Sequence, residues 1–540
     1  MTGIRRLLPW LLLLAGVVPA LSLFLQFPDL PHFGNFHDDT VYVQSGMAIA
    51  TGQGYRLIHL PQKPFQTKYP PLYSLWIALV WKIWPVFPEN LSLVIALNFA
   101  ALAGLLFSLW RWNQLLGFPP WGAAVLASGV ACLPVFVYLT ASVMTEVLFL
   151  ALFASAILLL EKSLETGVRT CALAGLLASL ACLTRSAGMP ILLTAPACLL
   201  LLRRWRHAAA FLVGALPFVA SWQAWVWQHA APADDWITRY YISYGQMERL
   251  TVGVDNAGLV VYQNLDSMLN SFAEMFLFGS VDSSGLWHHT VRLVGIAAIA
   301  GSIRLAWQTR RWQYPAYALV FATLMLFWHC PPDLRLFAHL APLLVLGLWF
   351  ECRHIWRLAR CRKGMTGMLA AGSVLAFGAY LGCSIVHARL VALPALERLA
   401  RVEMAARRTG YAAIRQITPA NATLLSDQDV LLSLNTHRSA YRTIHSPRLF
   451  YPIQKDRIRA AFAALPDSSI RPWDYVLVGR FDWRHELDAE NREKLRREIE
   501  SRSDLELVWR GDVGSLYRRS ALHAFGRKTS GVNLYSPAAP

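Results

Sequence analysis

Long apolar runs separated by short charged stretches recur along the first three-quarters of this chain, and the pattern changes near residue 390. Runs of about 17–22 residues predict membrane helices rather than the face of a soluble core. They fall at about 7–27, 90–110, 120–139, 143–161, 171–185, 187–202, 208–227, 289–307, 314–329, 335–351 and 367–386. The first follows Arg5 and Arg6 and contains Val18-Pro19-Ala20, which is how a signal peptide ends. It is longer than a signal core, so it reads as a retained span with its amino end in the cytoplasm.

One further apolar segment, Tyr73 to Phe87, decides the orientation. It is short, holds Lys82 and aromatic anchors, and lies between Pro71 and Pro88, which favours an interfacial helix over a crossing. Eleven spans remain. The clusters Arg203-Arg204-Trp205-Arg206, Arg304 to Arg311 and Arg353 to Lys363 then share the side of Arg5 and Arg6, as the positive-inside rule requires. On the opposite, outer face this leaves a first loop over 28–89, a long loop over 228–288, His329–Asp333 and everything after about His387. In a Gram-negative cell that face is the periplasm, and the protein is expected in the bacterial inner membrane.

Composition agrees with the pattern. The 540 residues are 55% hydrophobic and 15% charged, and the net charge of +17 lies mostly in those short basic clusters, so nucleic-acid binding is not expected. Eight cysteines are scattered without a CxxC pair, which excludes a disulfide framework and a zinc module.

Beyond Leu396 a charged helix to Ile417 leads into short alternating units. Leu424-Leu425, Ala440 to Ile444, Tyr475 to Val478 and Leu505 to Val508 read as strands, and Arg457 to Leu465 and Glu486 to Glu500 as helices. The expected organisation is a membrane domain over 1–390, an external α/β domain over 391–525 and a disordered tail over 526–540. No GxGxxG, GxxxxGK[ST] or GxSxG motif is present, so the α/β domain reads as a lid or an acceptor-docking module.

The first loop holds the densest chemistry. Over Gly34–Leu72 it reads GNFHDDTVYVQSGMAIATGQGYRLIHLPQKPFQTKYPPL, too polar for lipid. Asp38 and Asp39 precede a predicted short helix, Thr40 to Ala50, stopped by Gly52 and Gly54. Asp39 is placed to cap that helix.

This loop resembles the first external loop of the GT-C glycosyltransferases, polytopic enzymes that take sugars from polyprenyl-phosphate carriers. The protein O-mannosyltransferases and the aminoarabinose transferase of lipid A modification are of this kind. An acidic pair, a tyrosine three residues after it and a later Lys/Tyr-Pro-Pro-Leu element carry the resemblance, here as Asp38, Asp39, Tyr42 and Tyr69-Pro70-Pro71-Leu72. Many members have lysine directly before the prolines, where this chain has Tyr69 with Lys68 preceding it.

The resemblance implies a polytopic α-helical membrane fold of about eleven spans plus interfacial helices, with a C-terminal α/β domain. It implies an inverting glycosyltransferase that moves a sugar from a polyprenyl-phosphate carrier to a lipid, glycan or protein acceptor at the outer face. Asp38 matches the family's catalytic aspartate. Glu146 in ASVMTEVLF, Arg185 in LTRSAG and Arg335 in DLRLFAHLAP match further acidic and basic elements of the family. The substrate-binding set is then Asp39, Tyr42, Lys68, Tyr69, Glu146, Arg185, Arg239 and Arg335, with His329 a lesser candidate.

Physical chemistry supports these types. Sugar transfer needs a base for the acceptor hydroxyl, cations for the departing phosphate and a greasy groove, and arginine grips phosphate oxygens in pairs. No cofactor is required. His37, Asp38, Asp39 and His59 are the only set near the pair suited to a divalent cation, and they lack a metal-site spacing. Two rivals stand beside the enzyme. A transporter or flippase of lipid-linked sugars would show broken helices in paired halves and charges at mid-membrane, and an inactive scaffold would have lost Asp38.

Overall fold

The computed structural model describes residues 2–30, 33–230, 236–243, 257–276, 286–328, 330–360, 393–443, 459, 463, 465, 472–480, 482 and 487–520. The expected span 367–386, the tail 526–540, His329 and most of Arg457–Leu465 lie outside them. The chain divides into two compact units. One comprises Met1–Ile58, Gln62–Met404 and Ser446–Pro452, and the other His59–Pro61, Ala405–His445 and Ile453–Pro540.

The first unit is helical. Helix α1 is Thr2–Gln26, α2 Asp38–Ala50, α3 Leu72–Ile83, α4 Leu91–Leu115, α5 Pro120–Ala131, α6 Pro134–Thr140 and α7 Glu146–Thr166. Helices α8 Val168–Thr184, α9 Ile191–Leu201, α10 Trp205–His229 and α11 Trp236–Ile242 follow. Further helices span Ala257–Glu274, Leu286–Thr309, Gln313–Met325, Leu334–Phe337 and Ala341–Arg360.

Among the described residues, five helices are long and apolar enough to cross a bilayer: Arg6–Gln26, Leu91–Leu115, Glu146–Thr166, Trp205–His229 and Leu334–Leu358. A sixth crossing arises if α5 and α6, bent by 69°, count as one span. Pro134 at the start of α6 has no amide hydrogen to continue α5, which fixes the break. Helix α3 has 12 residues, about 18 Å of rise, against a hydrocarbon core of about 30 Å. It belongs with Val168–Thr184 and Ser186–Leu201 among the shorter apolar helices.

Boundaries moved where local chemistry overrode hydropathy. The span expected at 187–202 is a single 3-10 turn, Ser186–Gly188, followed by the eleven-residue α9. The helix expected from Thr40 starts at Asp38. The helix expected over Leu396–Ile417 is divided, with Leu393–Arg398 α-helical, Leu399–Met404 a π-helical turn and Ala405–Ile417 α-helical again. The long loop holds α11 and the amphipathic helix Ala257–Glu274, neither of which the apolar pattern marks.

Glycines set the closest helix crossings. Gly175 on α8 lies against the carbonyl of Phe211 on α10, and Gly214 on α10 against that of Ala172. Gly301 and Gly347 make the same reciprocal approach between Leu286–Thr309 and Ala341–Arg360. No side chain fits at these points, as at small-residue crossings of membrane helices generally. Helix α7 is buried in the centre, with Phe149, Phe153, Tyr314, Tyr317 and Phe337 packed in the apolar core around it.

The second unit is a five-stranded sheet with strands β1 Thr423–Ser426, β2 Ser439–Arg442, β3 Tyr475–Gly479, β4 Leu505–Gly511 and β5 Gly514–Arg519, in the order β2-β1-β3-β5-β4. Strands β1, β2 and β3 are parallel, and β5 runs antiparallel to β3 and β4. Helices Ala405–Ile417, Asp429–Thr436 and Ala489–Glu500 belong to this unit. Strand β5 and the helix Asp429–Thr436 were not legible in the sequence. The four strands that were expected each overlap an observed one.

Candidate active site

The site begins at a strained joint. His37 precedes α2 with φ of 61°, a left-handed conformation uncommon for a residue with a Cβ. The turn is held from both sides. Thr40 Oγ1 donates to the His37 carbonyl at 2.6 Å, and the Asp39 carboxylate accepts from the amides of Gly34 at 2.7 Å and Thr40 at 2.8 Å. Asp39 therefore does not cap α2 as expected. The cap position falls on His37, without a side-chain bond, and Asp39 staples the preceding loop to the first turn. It is 1% exposed, and both oxygens serve the backbone.

The strained turn presents Asp38 to residues far along the chain. Its Oδ1 accepts from the Tyr69 hydroxyl at 2.6 Å and its Oδ2 from Arg335 Nη2 at 2.9 Å. Tyr69 is fixed by Gln66, whose side-chain oxygen accepts from the amides of Lys68 and Tyr69, and by Tyr55, which donates to the Tyr69 carbonyl. The Tyr42 ring, one turn along α2, stands edge-on to those of Tyr69 and Tyr73 with centroids 5.3 and 5.5 Å away. Tyr42 is 4% exposed and acts as a wall that positions Tyr69.

Glu146 is the first residue of α7, where a helix amino end favours negative charge. Its Oε1 pairs with Arg185 Nη1 and lies 3.7 Å from Arg335 Nε. Arg185, just past the end of α8, also donates to the Thr145 hydroxyl at 3.2 Å. Asp38, Glu146, Arg185 and Arg335 thus form one continuous network of two acids and two guanidiniums. Arg335 has its Cζ 5.1 Å from the Phe36 ring centroid, and among the described residues its Nε and Nη1 make no hydrogen bond.

Lys68 is buried beside this network. Its Nζ donates to the Tyr240 carbonyl at 2.8 Å and lies 4.3 Å from the centre of the Tyr240 ring. Thr67 donates to the Ile242 carbonyl at 2.7 Å, and His37 Nε2 meets the Tyr241 hydroxyl at 2.9 Å. These bonds dock α11 onto the first loop. Arg239 is in α11, but its side chain lies outside the described residues. A cavity of about 210 Å³ is lined by Thr67, Lys68, Ser186, Met189, Trp222 and Val226 among others, of which Lys68 and Ser186 directly adjoin Tyr69 and Arg185 in the chain.

The adjacent acids have opposite electrostatics. Burial raises the Asp38 pKa, but the Arg335 charge, the Tyr69 hydrogen bond, His37 and Lys68 outweigh it and bring the carboxyl to about 2. For Asp39 burial wins. Its two backbone donors compensate only in part, and the neighbouring Asp38 charge adds to the rise, to about 7. At neutral pH Asp38 is an anion and Asp39 is part protonated.

Sequence reasoning named Asp38, Tyr69, Glu146, Arg185 and Arg335, and the fold brings all five together. It missed Gln66, Thr145 and the His37–Tyr241 contact. Gln66 and Thr145 carry no motif, and a contact across 204 positions leaves no local trace. Among the described residues, no group of three or more His, Cys, Asp or Glu is arranged to hold a metal ion. His59 belongs to the second unit, where it lies 3.7 Å from Asp429.

The fold and this network define a multi-pass helical membrane protein with a buried acid–arginine centre. No family model matches the chain and no curated relative does. Among solved structures it is similar to ArnT from Cupriavidus metallidurans bound to undecaprenyl phosphate, at 11% identity over 93% of this chain and 98% of that one, with a TM-score of 0.49. It is also similar to the Archaeoglobus fulgidus oligosaccharyltransferase tethered to an acceptor peptide, at 11% identity over 90% of this chain and 70% of that one, with a TM-score of 0.47. At such identities the likeness concerns the path of the chain, and the chemistry below rests on this chain's own residues.

Proposed function

We propose that this protein is an inverting glycosyltransferase that moves a sugar from a polyprenyl-phosphate carrier to a lipid, glycan or protein acceptor at the outer face of a bacterial inner membrane. The observation that carries the reading is the coupling of Asp38 to Arg335, a guanidinium whose Nε and Nη1 make no hydrogen bond among the described residues. In the reaction Asp38 takes the proton of the acceptor hydroxyl. The acceptor oxygen forms its bond to the anomeric carbon as the bond from that carbon to the phosphate oxygen breaks, and the electron pair leaves with the carrier phosphate. Arg335 neutralises that phosphate, with Lys68 as the additional positive charge and Arg185 keeping Glu146 balanced. Charge stabilisation of this kind is the main requirement, because phosphate is already a fair leaving group.

The proposed topology has eleven crossings, the amino end in the cytoplasm and α3 lying in the outer interface. The second unit then serves at the outer face as a lid or acceptor-docking module.

The test is transfer of labelled sugar from carrier to acceptor by purified protein. Asp38→Asn keeps side-chain size and removes the proton acceptor, and turnover is expected to fall on the order of 10²–10⁴-fold. Turnover close to wild type from an equally stable Asp38→Asn protein would remove Asp38 as base and bring the transporter reading forward.

A further inference from the structure

A carboxylate held near pKa 2 is a poor base, because proton transfer works best when the base's pKa lies near the working pH. In the geometry described here, Asp38 is therefore ionised but inactive. The cause is specific. Arg335 Nη2 is bonded to Asp38 Oδ2, while Glu146 has a second guanidinium of its own in Arg185. Among the described residues, Arg335 is the one guanidinium paired with Asp38. Its other neighbours are Tyr69, which donates a neutral hydrogen bond, and His37 and Lys68, which act through space, with Asp39 opposing them.

We propose that Arg335 is shared in turn between Asp38 and the donor's phosphate, so that carrier binding itself switches the base on. The inference rests on the glycosyltransferase reading and adds an order of events to it. Among the described residues Nη1 makes no hydrogen bond and Nε only faces Glu146 Oε1 at 3.7 Å. Both forked edges of the guanidinium include Nη2, the atom that holds Asp38, so a phosphate that accepts two N–H bonds in parallel, a stronger partner than a carboxylate held through one, competes with Asp38 for it. As the guanidinium turns to the phosphate, Asp38 loses the largest influence that lowers its pKa. Its affinity for a proton rises when a donor is present to use it. An empty site leaves the acceptor hydroxyl protonated. After transfer the carrier phosphate bears a second negative charge and holds Arg335 more firmly, so release of the carrier restores the Asp38–Arg335 pair.

The hand-over makes Asp38 a competitor of the phosphate, which binding measures without any turnover. The probe is undecaprenyl phosphate titrated into the purified full-length protein in nanodiscs, with undecaprenol as the control lacking phosphate. Asp38→Asn is expected to bind undecaprenyl phosphate about tenfold more tightly than wild type, within the usual range of coupling between two sites, with undecaprenol unchanged. In an Arg335→Gln background the same Asp38→Asn change is expected to give no gain. Asp38→Ser, which is smaller and equally neutral, repeats the test if the asparagine variant unfolds. A gain that persists without Arg335 would mean simple relief of charge repulsion, and no gain at all would mean no competition. Either result overturns the hand-over. Equal binding of undecaprenyl phosphate and undecaprenol by wild type would instead sink the donor assignment on which it rests.

Discussion

Tyr69 and Asp38 lie 31 positions apart and are joined by a 2.6 Å bond from phenol to carboxylate. The tyrosine stands where many sequences of the resembling family have a lysine. It supplies a donor without a charge, which leaves the cationic role at this end of the loop to Lys68 and Arg335. Tyr69→Phe keeps the ring against Tyr42 and removes the bond. The loss frees Asp38 to turn but also removes one influence that lowers its pKa, so turnover is expected to fall about tenfold, at the low end of the roughly 10–150-fold that a hydrogen bond to a charged group is worth, with little change in donor KM. Steady-state kinetics with donor and acceptor varied separately checks this.

The pH profiles follow from the same carboxyl. In the free protein Asp38 ionises at about 2, so kcat/KM for the donor should show no acidic limb from this group above about pH 4. With donor bound and Arg335 engaged elsewhere, kcat should show an acidic limb at higher pH. Coincident limbs in the two profiles would contradict the geometry.

Stability should depend on pH through two buried acids. Asp39 ionises at about 7 and Asp482 at about 8, burial being the first cause in both, with Asp427 raising Asp482 further. The folded chain keeps protons that the unfolded chain releases near the ordinary carboxyl value of 3.8. Stability from these groups is therefore lost as pH rises from there toward 7 or 8. Asp38 has the opposite sign, and its contribution is lost as pH falls from 3.8 toward 2. Thermal midpoints in detergent between pH 4.5 and 8.5 should fall toward the alkaline end.

Asp39→Asn separates structure from catalysis. An asparagine has one acceptor oxygen where Gly34 and Thr40 together need two, so one buried amide loses its partner at a cost of about 1–3 kcal/mol. The midpoint should drop while protein that remains folded keeps most of its turnover per molecule.

Gly347→Leu tests the helix crossing. A side chain there meets the Ala298 carbonyl and Ser302, and overpacking of this kind costs about 1–3 kcal/mol. Gly129, which has no neighbour where a Cβ would stand, should accept alanine with little change in midpoint.

Much of this architecture was legible in the chain because the bilayer imposes length and polarity so strictly. Helices α1, α4, α7 and α10 announce themselves as unbroken apolar runs. Helix α3 was expected from its apolar run between Pro71 and Pro88, and it spans Leu72–Ile83. The limits were local. The 69° bend between α5 and α6 and the shortening of α9 arise from prolines and tight turns inside apolar sequence, where hydropathy does not change. Strand β5 has four arginine, serine or glycine residues among its six, and it pairs with β3 and β4 by backbone bonds that such composition conceals. In the site, chemical type was legible and partnership was not. Asp39 looks like a helix cap because it precedes Thr40, and only the fold of Gly34 back over it reveals a staple.

Helix α7 carries a buried acid near each end. Glu146 is paired with Arg185, and Glu161, 1% exposed, is paired with Arg311 at 3.0 Å and accepts from the Trp112 indole at 3.0 Å. Fifteen residues separate them, about 22 Å along the axis. Sliding or rocking this helix against its neighbours breaks two desolvated ion pairs together, each costly to leave with one partner buried alone. The helical unit is thus pinned at its centre like a beam fixed at both supports. Such a beam suits a stationary workbench better than a rocker switch, so the movements that the proposed carrier and acceptor would require fall to the loops.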